Sequence, residues 1–369
     1  MSRYLGYILS FLSVSFFTTS CATYKAQYAS TKSDWNTKIY DSTPEIAHTF
    51  YLIGDAGNAN KGEQLTHFNL LKKELETAPK NSTLLFLGDN LYEKGMPKKG
   101  HATRQLAEHR LNAQIDLVKN FEGQPIFIPG NHDYYNNGVK GLEREANYIK
   151  EQLNNKNSFL PKNGCPLKKV NISEDIVLII VDSQWYLENW DKNPTMNDNC
   201  SIKTQDQFFN EFESLIKKNA NKTTLVAIHH PMFSNGSHGG QFSLKAQLYP
   251  IDNKLPLPVI GTMANIFRTA SGISPQDMNN PLYLELKKRI VTIVQKSEKV
   301  ILTSGHEHNL QYIIKDNIPQ IVSGSGSKIT AAKVINGSEF AYGGLGYAKL
   351  IVYKNGASQV FYFSEMNGE

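Results

Sequence analysis

The sequence predicts an α/β fold in which short buried strands alternate with helices. Short apolar runs of strand length, rich in β-branched and aromatic residues, recur along the chain. Longer segments with helical periodicity fall between them. Several of the apolar runs end in a glycine followed by an acidic residue, an asparagine or a histidine. Because open α/β sheets bind ligands at the carboxyl ends of their strands, this placement also predicts a functional site.

The N-terminus predicts an export signal over residues 1–20. Arg3 precedes an uncharged, predominantly apolar run at 5–17, which is too short to span a bilayer comfortably and has no stop-transfer pattern after it. Thr19-Ser20-Cys21 resembles the end of a bacterial lipobox, which implies a lipid anchor on Cys21. Plain secretion is the alternative. We therefore expect an exported protein, lipid-anchored in the bacterial cell envelope, in the outer membrane or periplasm.

The segment that follows, 21–45, is polar and unpatterned and predicts a tether to a domain over 46–369. Two further cysteines, Cys165 and Cys200, suit an oxidising compartment, where they form either a disulfide or two free buried thiols. The formal charge is +5, and loss of Arg3 with the signal leaves +4. Lysine pairs alternate with acidic residues, so no nucleic-acid binding is expected.

The domain begins with a predicted strand at 48–53, and the elements then alternate. Further strands are predicted at 84–87, 125–128, 176–181, 224–228 and 300–303. Helices are predicted at 62–75, 104–119, 205–218 and 282–295. Three hairpin-like strands follow at 320–323, 347–353 and 359–363. A long segment at about 240–281 interrupts this alternation, and it is interpreted either as a lid beside the site or as a surface excursion.

Six polar clusters lie next to these elements: GDAG at 54–57, GDNLY at 88–92, GNHD at 130–133, HHP at 229–231, SHG at 237–239 and GHEH at 305–308. They supply Asp, Asn, His and Tyr, which are ligands for hard or borderline metal ions. One such cluster alone is often a simple turn. Together and in this order, they predict a phosphoesterase site with two metal ions.

These motifs resemble those of calcineurin-like metallophosphoesterases and, within that group, of purple acid phosphatases of the tartrate-resistant type. The wider group has Asp-x-His in its first motif, whereas this chain has Asp55-Ala56-Gly57. Gly88-Asp89-Asn90-Leu91-Tyr92 matches the purple acid phosphatase pattern GDxxY, in which the tyrosine is a phenolate ligand of a ferric ion. The resemblance implies a four-layer α/β/β/α sandwich of two mixed sheets. A packed aromatic is the alternative role for Tyr92.

The resemblance also implies the metal ligands. One ion, Fe(III), is expected on Asp55, Asp89, Tyr92 and His308, and a divalent ion (Fe, Zn or Mn) on Asp89, Asn131, His229 and His306. Asp89 then bridges the two, as a carboxylate can for ions about 3.5–4 Å apart. His229 is chosen over His230 because the pattern is His-x-Pro and Pro231 fixes which histidine leads.

The resemblance also implies that His132 and His238 are the catalytic residues, with His132 near the leaving group and His238 in contact with phosphate. Asp133 is expected to orient His132, and Trp185, Tyr186 and Trp190 are interpreted either as core residues or as part of the rim of the site. The predicted activity is hydrolysis of a small phosphate monoester by a metal-activated water. The alternatives are a phosphodiesterase or nucleotide hydrolase with the same metals, and a non-catalytic surface lipoprotein that retains the fold.

Overall fold

The computed structural model describes residues 21–30, 44–63, 65–188, 190, 193–251 and 255–364. The predicted signal peptide, 1–20, lies outside these residues. The strands are β1 Gln27–Tyr28, β2 Ile46–Ile53, β3 Ser82–Phe86, β4 Gln124–Phe127, β5 Leu167–Asn171, β6 Ile176–Val181, β7 Thr223–Ile228, β8 Val300–Ser304, β9 Leu310–Lys315, β10 Ile318–Ser323, β11 Ser338–Tyr342, β12 Gly346–Tyr353 and β13 Ser358–Ser364. The helices are α1 Thr66–Glu76, α2 Arg104–Ile115, α3 Asn131–Tyr134, α4 Val139–Gln152, α5 Ser183–Leu187, α6 Gln205–Lys218, α7 Leu244–Leu248, α8 Pro258–Ser271 and α9 Pro281–Val294.

The strands form two mixed sheets. The five-stranded sheet has the order β13-β12-β2-β3-β4, with β2, β3 and β4 parallel and β12 antiparallel to both of its neighbours. The eight-stranded sheet has the order β1-β11-β9-β10-β8-β7-β6-β5, and its parallel part is β10-β8-β7-β6. Both parallel parts end in loops that carry the polar clusters.

The domain has four layers, with one hydrophobic cluster between the two sheets and another between the sheets and their helices. Alternate residues of the parallel strands, such as Leu52 and Leu85 in one sheet and Leu178 and Leu225 in the other, form a core between the sheets. The opposite faces pack against helices, as Phe86 does in one sheet and Val226 in the other. Strands buried on both faces read as continuous apolar runs, which explains why they stand out in the sequence. The predicted α/β sandwich of two mixed sheets is confirmed.

Several elements were missed by the sequence prediction. They are the strands β1, β5, β9 and β11 and the helices α3, α4, α5, α7 and α8, of which α7 and α8 lie in the 240–281 segment. Residues 21–28 of the predicted tether lie against the domain. The Ala22 amide donates to the Phe242 carbonyl at 3.2 Å, and β1 pairs with β11.

Cys165 and Cys200 form a disulfide with a Cα–Cα distance of 5.1 Å, which selects one of the two alternatives left open by the sequence. It joins the chain just before β5 to the segment that precedes α6. Within the described ranges, no helix has the length and apolar content needed to cross a bilayer.

Candidate metal centre

The candidate site lies where the carboxyl ends of parallel strands from both sheets meet. Asp55 follows β2, Asp89 follows β3 and Asn131 follows β4, whereas His229 follows β7 and His306 follows β8 of the other sheet. The Gly54 amide, at the end of β2, donates to the Ser323 carbonyl of β10 at 2.7 Å and so joins the two sheets at this edge. The fold therefore brings residues distant in sequence into one buried cluster.

Three of the seven predicted ligands converge on the phenol of a fourth, Tyr92. Its oxygen lies 2.7 Å from Asp55 Oδ1, 2.9 Å from Asp89 Oδ2 and 3.0 Å from His308 Nε2. His308 Nε2 is also 3.4 Å from Asp55 Oδ1. These are the residues predicted to hold one ion.

The remaining predicted ligands converge on the amide oxygen of Asn131. His229 Nε2 and His306 Nδ1 each lie 3.1 Å from Asn131 Oδ1. Asp89 Oδ1 lies 3.4 Å from His229 Nε2, whereas its Oδ2 faces Tyr92. One oxygen of Asp89 thus faces the group around Tyr92, and the other faces the group around Asn131. This is the arrangement that a bridging carboxylate requires.

Backbone carbonyls fix the orientation of two imidazoles. His229 Nδ1 lies 2.7 Å from the Leu87 carbonyl, and His306 Nε2 lies 2.8 Å from the Gln276 carbonyl. Because a carbonyl only accepts, each of these nitrogens carries the hydrogen. The unprotonated nitrogens, His229 Nε2 and His306 Nδ1, therefore face Asn131 with lone pairs available to a cation.

Three of the predicted ligands have left-handed backbone conformations, which are unfavourable for residues other than glycine. The φ angles are 56° at Asp55, 53° at Asp89 and 68° at His306. Each residue follows a glycine at the end of a strand. Such strain persists where the surrounding structure fixes it, and it is concentrated at functional sites.

Gly57 explains why a tyrosine stands in this site. A Cβ at residue 57 would lie 2.2 Å from the Asn90 carbonyl carbon, so a histidine does not fit there. Without a Cβ, Gly57 allows the 89–92 loop to approach, and the Tyr92 amide donates to its carbonyl at 3.0 Å. The close approach brings the phenol of Tyr92 next to Asp55. Residues 57 and 92 are therefore coupled.

The donor set fits metal cations. Asp55 and Asp89 are 0% and 1% exposed, and the ion-pair partners that the described part of the chain gives them are histidines. Ligand atoms of Asp55, Asp89 and His229 all lie within 4.8 Å of one another. Burial, followed by the charges of Asp55 and Asp89, raises the pKa of Tyr92 well above its ordinary value. A phenolate at this position therefore needs a cation beside it.

His132 lies at the edge of the cluster. Its side chain is 22% exposed, its Nδ1 lies 2.7 Å from the Glu93 carbonyl, and its Nε2 lies 3.9 Å from Asp89 Oδ2. The expectation that Asp133 orients His132 is wrong, because the Asp133 carboxylate accepts from the Gly130 and Leu91 amides. Asp133 fixes the backbone of the loops, and the Glu93 carbonyl orients His132.

A buried carboxyl that no motif indicated also supports these loops. Asn90 Nδ2 donates to Asp133 Oδ2 and to Glu145 Oε1 of α4, both at 3.2 Å. Burial raises the pKa of Glu145 to about 8, which favours its neutral form beside Asp133. Through its contact with Asn90, Glu145 holds the loop between Asp89 and Tyr92.

His238 is held by a carboxylate that no motif indicated. Its Nδ1 lies 2.8 Å from Asp277 Oδ1, and its side chain is 20% exposed. Arg268 of α8 binds both oxygens of Asp277, at 2.6 and 2.7 Å. Because the carboxylate accepts from Nδ1, the Nε2 of His238 is left for other contacts. The His238 ring lies against that of His306, with the centroids 4.2 Å apart.

Glu307, between two of the predicted ligands, holds the loop that carries His238. It is fully buried, and its Oε1 accepts from the Ser234 hydroxyl at 2.7 Å and from the Gly239 amide at 3.1 Å. The spacing of GHEH showed the two histidines but not the role of the residue between them. That role depends on contacts with a segment about 70 residues away.

Two open assignments are resolved by burial and contacts. The His230 ring lies against that of His306, but both of its nitrogens contact other groups: Nδ1 lies 2.7 Å from the Ser183 hydroxyl and Nε2 lies 2.7 Å from Gln276 Oε1. Trp185 and Tyr186 are 0% and 1% exposed and belong to the helix-side core, against which Trp190 packs. None of these three aromatic residues is therefore part of the rim.

The fold and this arrangement of carboxylates and imidazoles define a metal-dependent phosphoesterase. A family model, Calcineurin-like phosphoesterase, matches residues 48–261, which is more than half of the chain. The chain belongs to the calcineurin-like phosphoesterase family.

Individual relatives are distant. Purple acid phosphatase 3 of Arabidopsis thaliana is 21% identical over 331 residues, which cover 85% of this chain and 74% of that protein. Two solved structures share the fold. One, described as GAP50, the anchor in the inner membrane complex of Plasmodium, has a TM-score of 0.56 and 15% identity, covering 88% of this chain and 87% of its own. The other, purple acid phosphatase PPD1 from yellow lupin seeds, has a TM-score of 0.50 and 14% identity, covering 87% and 52%.

Proposed function

We propose that this protein hydrolyses phosphate monoesters with a purple acid phosphatase type of centre, in which Tyr92 is a phenolate ligand of Fe(III). The supporting observation is the phenol of Tyr92, within 3.0 Å of Asp55, Asp89 and His308. The similarity to the Arabidopsis purple acid phosphatase agrees with this choice.

In this proposal, Asp55, Asp89, Tyr92 and His308 hold the ferric ion. Asp89, Asn131, His229 and His306 hold a divalent ion, for which Fe, Zn and Mn are the candidates. When bound, two such ions would supply an activated water and would neutralise the charge that develops on the phosphoryl oxygens. The two sites differ in charge, because Tyr92 adds a hard anion to one and Asn131 a neutral amide oxygen to the other.

His132 and His238 then handle protons and bind the phosphoryl group. Both are partly open to solvent, whereas the predicted ligand carboxylates are buried, so these two rings lie on the side from which a substrate arrives. The Glu93 carbonyl and the Asp277 carboxylate each fix one Nδ1, which leaves both Nε2 atoms for the substrate.

The first experiment is a visible absorption spectrum of the purified, metal-replete protein and of its Tyr92→Phe variant, with metal content measured on the same samples. We expect a ferric-phenolate charge-transfer band that the variant lacks. The absence of a band from an oxidised sample with both sites filled would refute the ferric-phenolate centre. Tyr135→Phe is a matched control, because that hydroxyl contacts Asn131 in the other group at 2.8 Å.

Hydrolysis of mono-ester and bis-ester model substrates separates the proposed activity from a phosphodiesterase with the same metals. The monoester is expected to be the better substrate by kcat/KM, and the reverse order would favour the phosphodiesterase. A protein that binds without catalysis would show no turnover, and its His132→Ala variant would bind phosphate as the unsubstituted protein does.

We further propose that the protein is exported and lipid-anchored through Cys21 in the bacterial cell envelope. The support is the sequence Thr19-Ser20-Cys21 after an apolar run at 5–17. Mass spectrometry of the N-terminal peptide tests this proposal. Acyl chains on Cys21 are the expected result, and an unmodified thiol would refute the anchor.

A further inference from the structure

The helix α8 has its polarity reversed relative to an ordinary surface helix. Its contacts with the domain include three polar residues. The half-buried Asn265 donates to the Ala246 carbonyl, and the more exposed Arg268 and Thr269 bind Asp277 and lie against Gly240, respectively. Ordinary surface helices place their apolar side toward the core and their polar side toward water. The packing of α8 on the domain is therefore largely polar.

The outward side of α8 is apolar over about two and a half turns, from residue 259 to residue 267. We call its five large residues the outer face: Val259, Ile260, Met263, Ile266 and Phe267, which are 69, 54, 65, 54 and 63% exposed. They recur at the spacing of one helix side. Contiguous apolar surface of this kind marks an interaction site on a soluble domain.

Nine of the eighteen large apolar residues found exposed in the described ranges lie between 244 and 273. The apolar surface is therefore concentrated in this part of the molecule and is not distributed evenly. The concentration argues against the ordinary scatter of single apolar residues over a protein surface.

The outer face lies beside the point at which the chain leaves the domain toward its N-terminus. Gln247 of α7 donates to Cys21 Sγ at 3.6 Å, and Cys21 lines a cavity of about 430 Å³ together with Thr262, Ile266 and Ala270 of α8. In the proposed mature protein Cys21 carries the lipid, because residues 1–20 are removed with the signal. The proposed point of lipid attachment therefore lies beside α8.

The charges near this surface suit anionic headgroups. Lys25 and Lys245 are exposed and lie within a few residues of Cys21 and Gln247, and Lys333 lines the same cavity as Cys21. Arg268 of α8 is paired with Asp277, so the cations available to a lipid surface are these lysines. A lipid surface attracts such a combination of apolar side chains and flanking cations.

We propose that the outer face of α8 inserts into the interface of the membrane to which Cys21 is attached. This inference rests in part on the proposed anchor, because the lipid on Cys21 brings α8 to the membrane. The helix itself supplies the second contact, which fixes how the domain is oriented.

The test uses the full chain, produced with its own N-terminus in a bacterial host and reconstituted into phosphatidylethanolamine and phosphatidylglycerol vesicles. Tryptophan is introduced as Met263→Trp or Phe267→Trp, and Leu70→Trp on α1 is the control, since residue 70 is 40% exposed far from α8 in sequence. Emission is measured in vesicles with and without bromine on the lipid acyl chains. Spectra of the unsubstituted chain give the background from its three native tryptophans.

We expect the emission at 263 and 267 to shift to shorter wavelength on reconstitution and to be quenched by brominated lipid, and that at 70 to do neither. Equal, weak quenching at all three positions in vesicle-bound protein would overturn the proposal. A wavelength shift that instead depends on protein concentration without lipid would assign the outer face to a second copy of the chain.

A second measurement separates the helix from the anchor. In a Cys21→Ser background, Met263→Glu with Phe267→Glu is expected to weaken vesicle binding on the order of tenfold or more. The matched pair Leu70→Glu with Ile314→Glu is expected to leave it unchanged. Equal binding by both pairs would overturn the proposal. Phosphatase activity is assayed on the same samples, so that failure of the proposed activity is distinguished from failure of membrane contact.

Discussion

Replacing Asp277 by asparagine tests whether this carboxylate positions His238. The substitution keeps the size of the side chain but removes the negative charge that accepts from His238 Nδ1 at 2.8 Å. A hydrogen bond to a charged partner contributes about 1.5–3 kcal/mol. If that contribution is needed in the transition state, kcat falls about ten- to hundredfold. KM is expected to change less, because the residues proposed to hold the metals remain in place.

The assay is steady-state hydrolysis of a phosphate monoester by Asp277→Asn across the pH range, with metal content and thermal unfolding measured on the same protein. Arg268→Gln is the matched comparison, since it removes the cation that binds both Asp277 oxygens but leaves the carboxylate on His238. The two substitutions are expected to be non-additive in the double variant because they act on one network. An Asp277→Asn protein with unchanged kcat and pH profile would refute the positioning role.

Three further predictions concern stability and metal binding. The lowered pKa of Asp277, about 2 against an ordinary 3.8, means that its ionisation stabilises the folded state above about pH 4 and that this contribution is lost as the pH falls toward 2. Asp277→Asn is therefore expected to lower the free energy of unfolding by about 2 kcal/mol at neutral pH and by much less at pH 2. Denaturant unfolding at both pH values tests this, and an equal loss at pH 2 would contradict it. Replacing Cys165 and Cys200 by serine opens a crosslink with a sequence separation of 35 residues, and a loss of about 3–4 kcal/mol in the free energy of unfolding is expected. A loss below about 1 kcal/mol would contradict the crosslink argument. Gly88→Ala places a Cβ 2.6 Å from His229 Nδ1 at a φ of +89°. We expect the variant to be destabilised by about 2–3 kcal/mol and its metal content to fall by at least half. Full metal content in the purified variant would contradict this prediction.

The elements predicted most accurately are those whose local pattern agrees with their environment. β6 Ile176–Val181 is buried throughout and reads as a continuous apolar run, and its predicted bounds match the structure. α6 Gln205–Lys218 begins at a capping residue, Thr204, whose hydroxyl accepts from the Gln207 amide, and its predicted bounds also match.

The missed helices have patterns that conflict with their environment. α4 buries Glu145 among its apolar residues, because that side chain binds Asn90 in another element. α8 exposes its apolar residues and begins with Pro258 after another proline-containing stretch, so its sequence resembles a loop. In both cases the pattern reflects contacts that the local sequence does not contain.

The candidate site also contains residues that the motifs indicated and residues that they did not. The motifs located the seven predicted ligands, because each follows a glycine or a strand end at a recognisable spacing. They did not indicate Asp277 or Glu307 as positioning residues, since each acts through a partner 39 to 73 positions away in the chain. Residues that orient others are defined by tertiary contacts and are therefore recognised only in the folded structure.

The hydrogen bond between the Gly54 amide and the Ser323 carbonyl bears on the order of folding. It joins residues 269 positions apart, and the next residue along the chain from Gly54 is the predicted ligand Asp55. Contacts of such long sequence separation form late, because the intervening chain has to be ordered first. A chain that ends before β10 lacks the partner of Gly54 and leaves the edge between the two sheets open. Metal loading is therefore expected to be a property of the finished domain and not of a growing chain, and to report on the completion of folding.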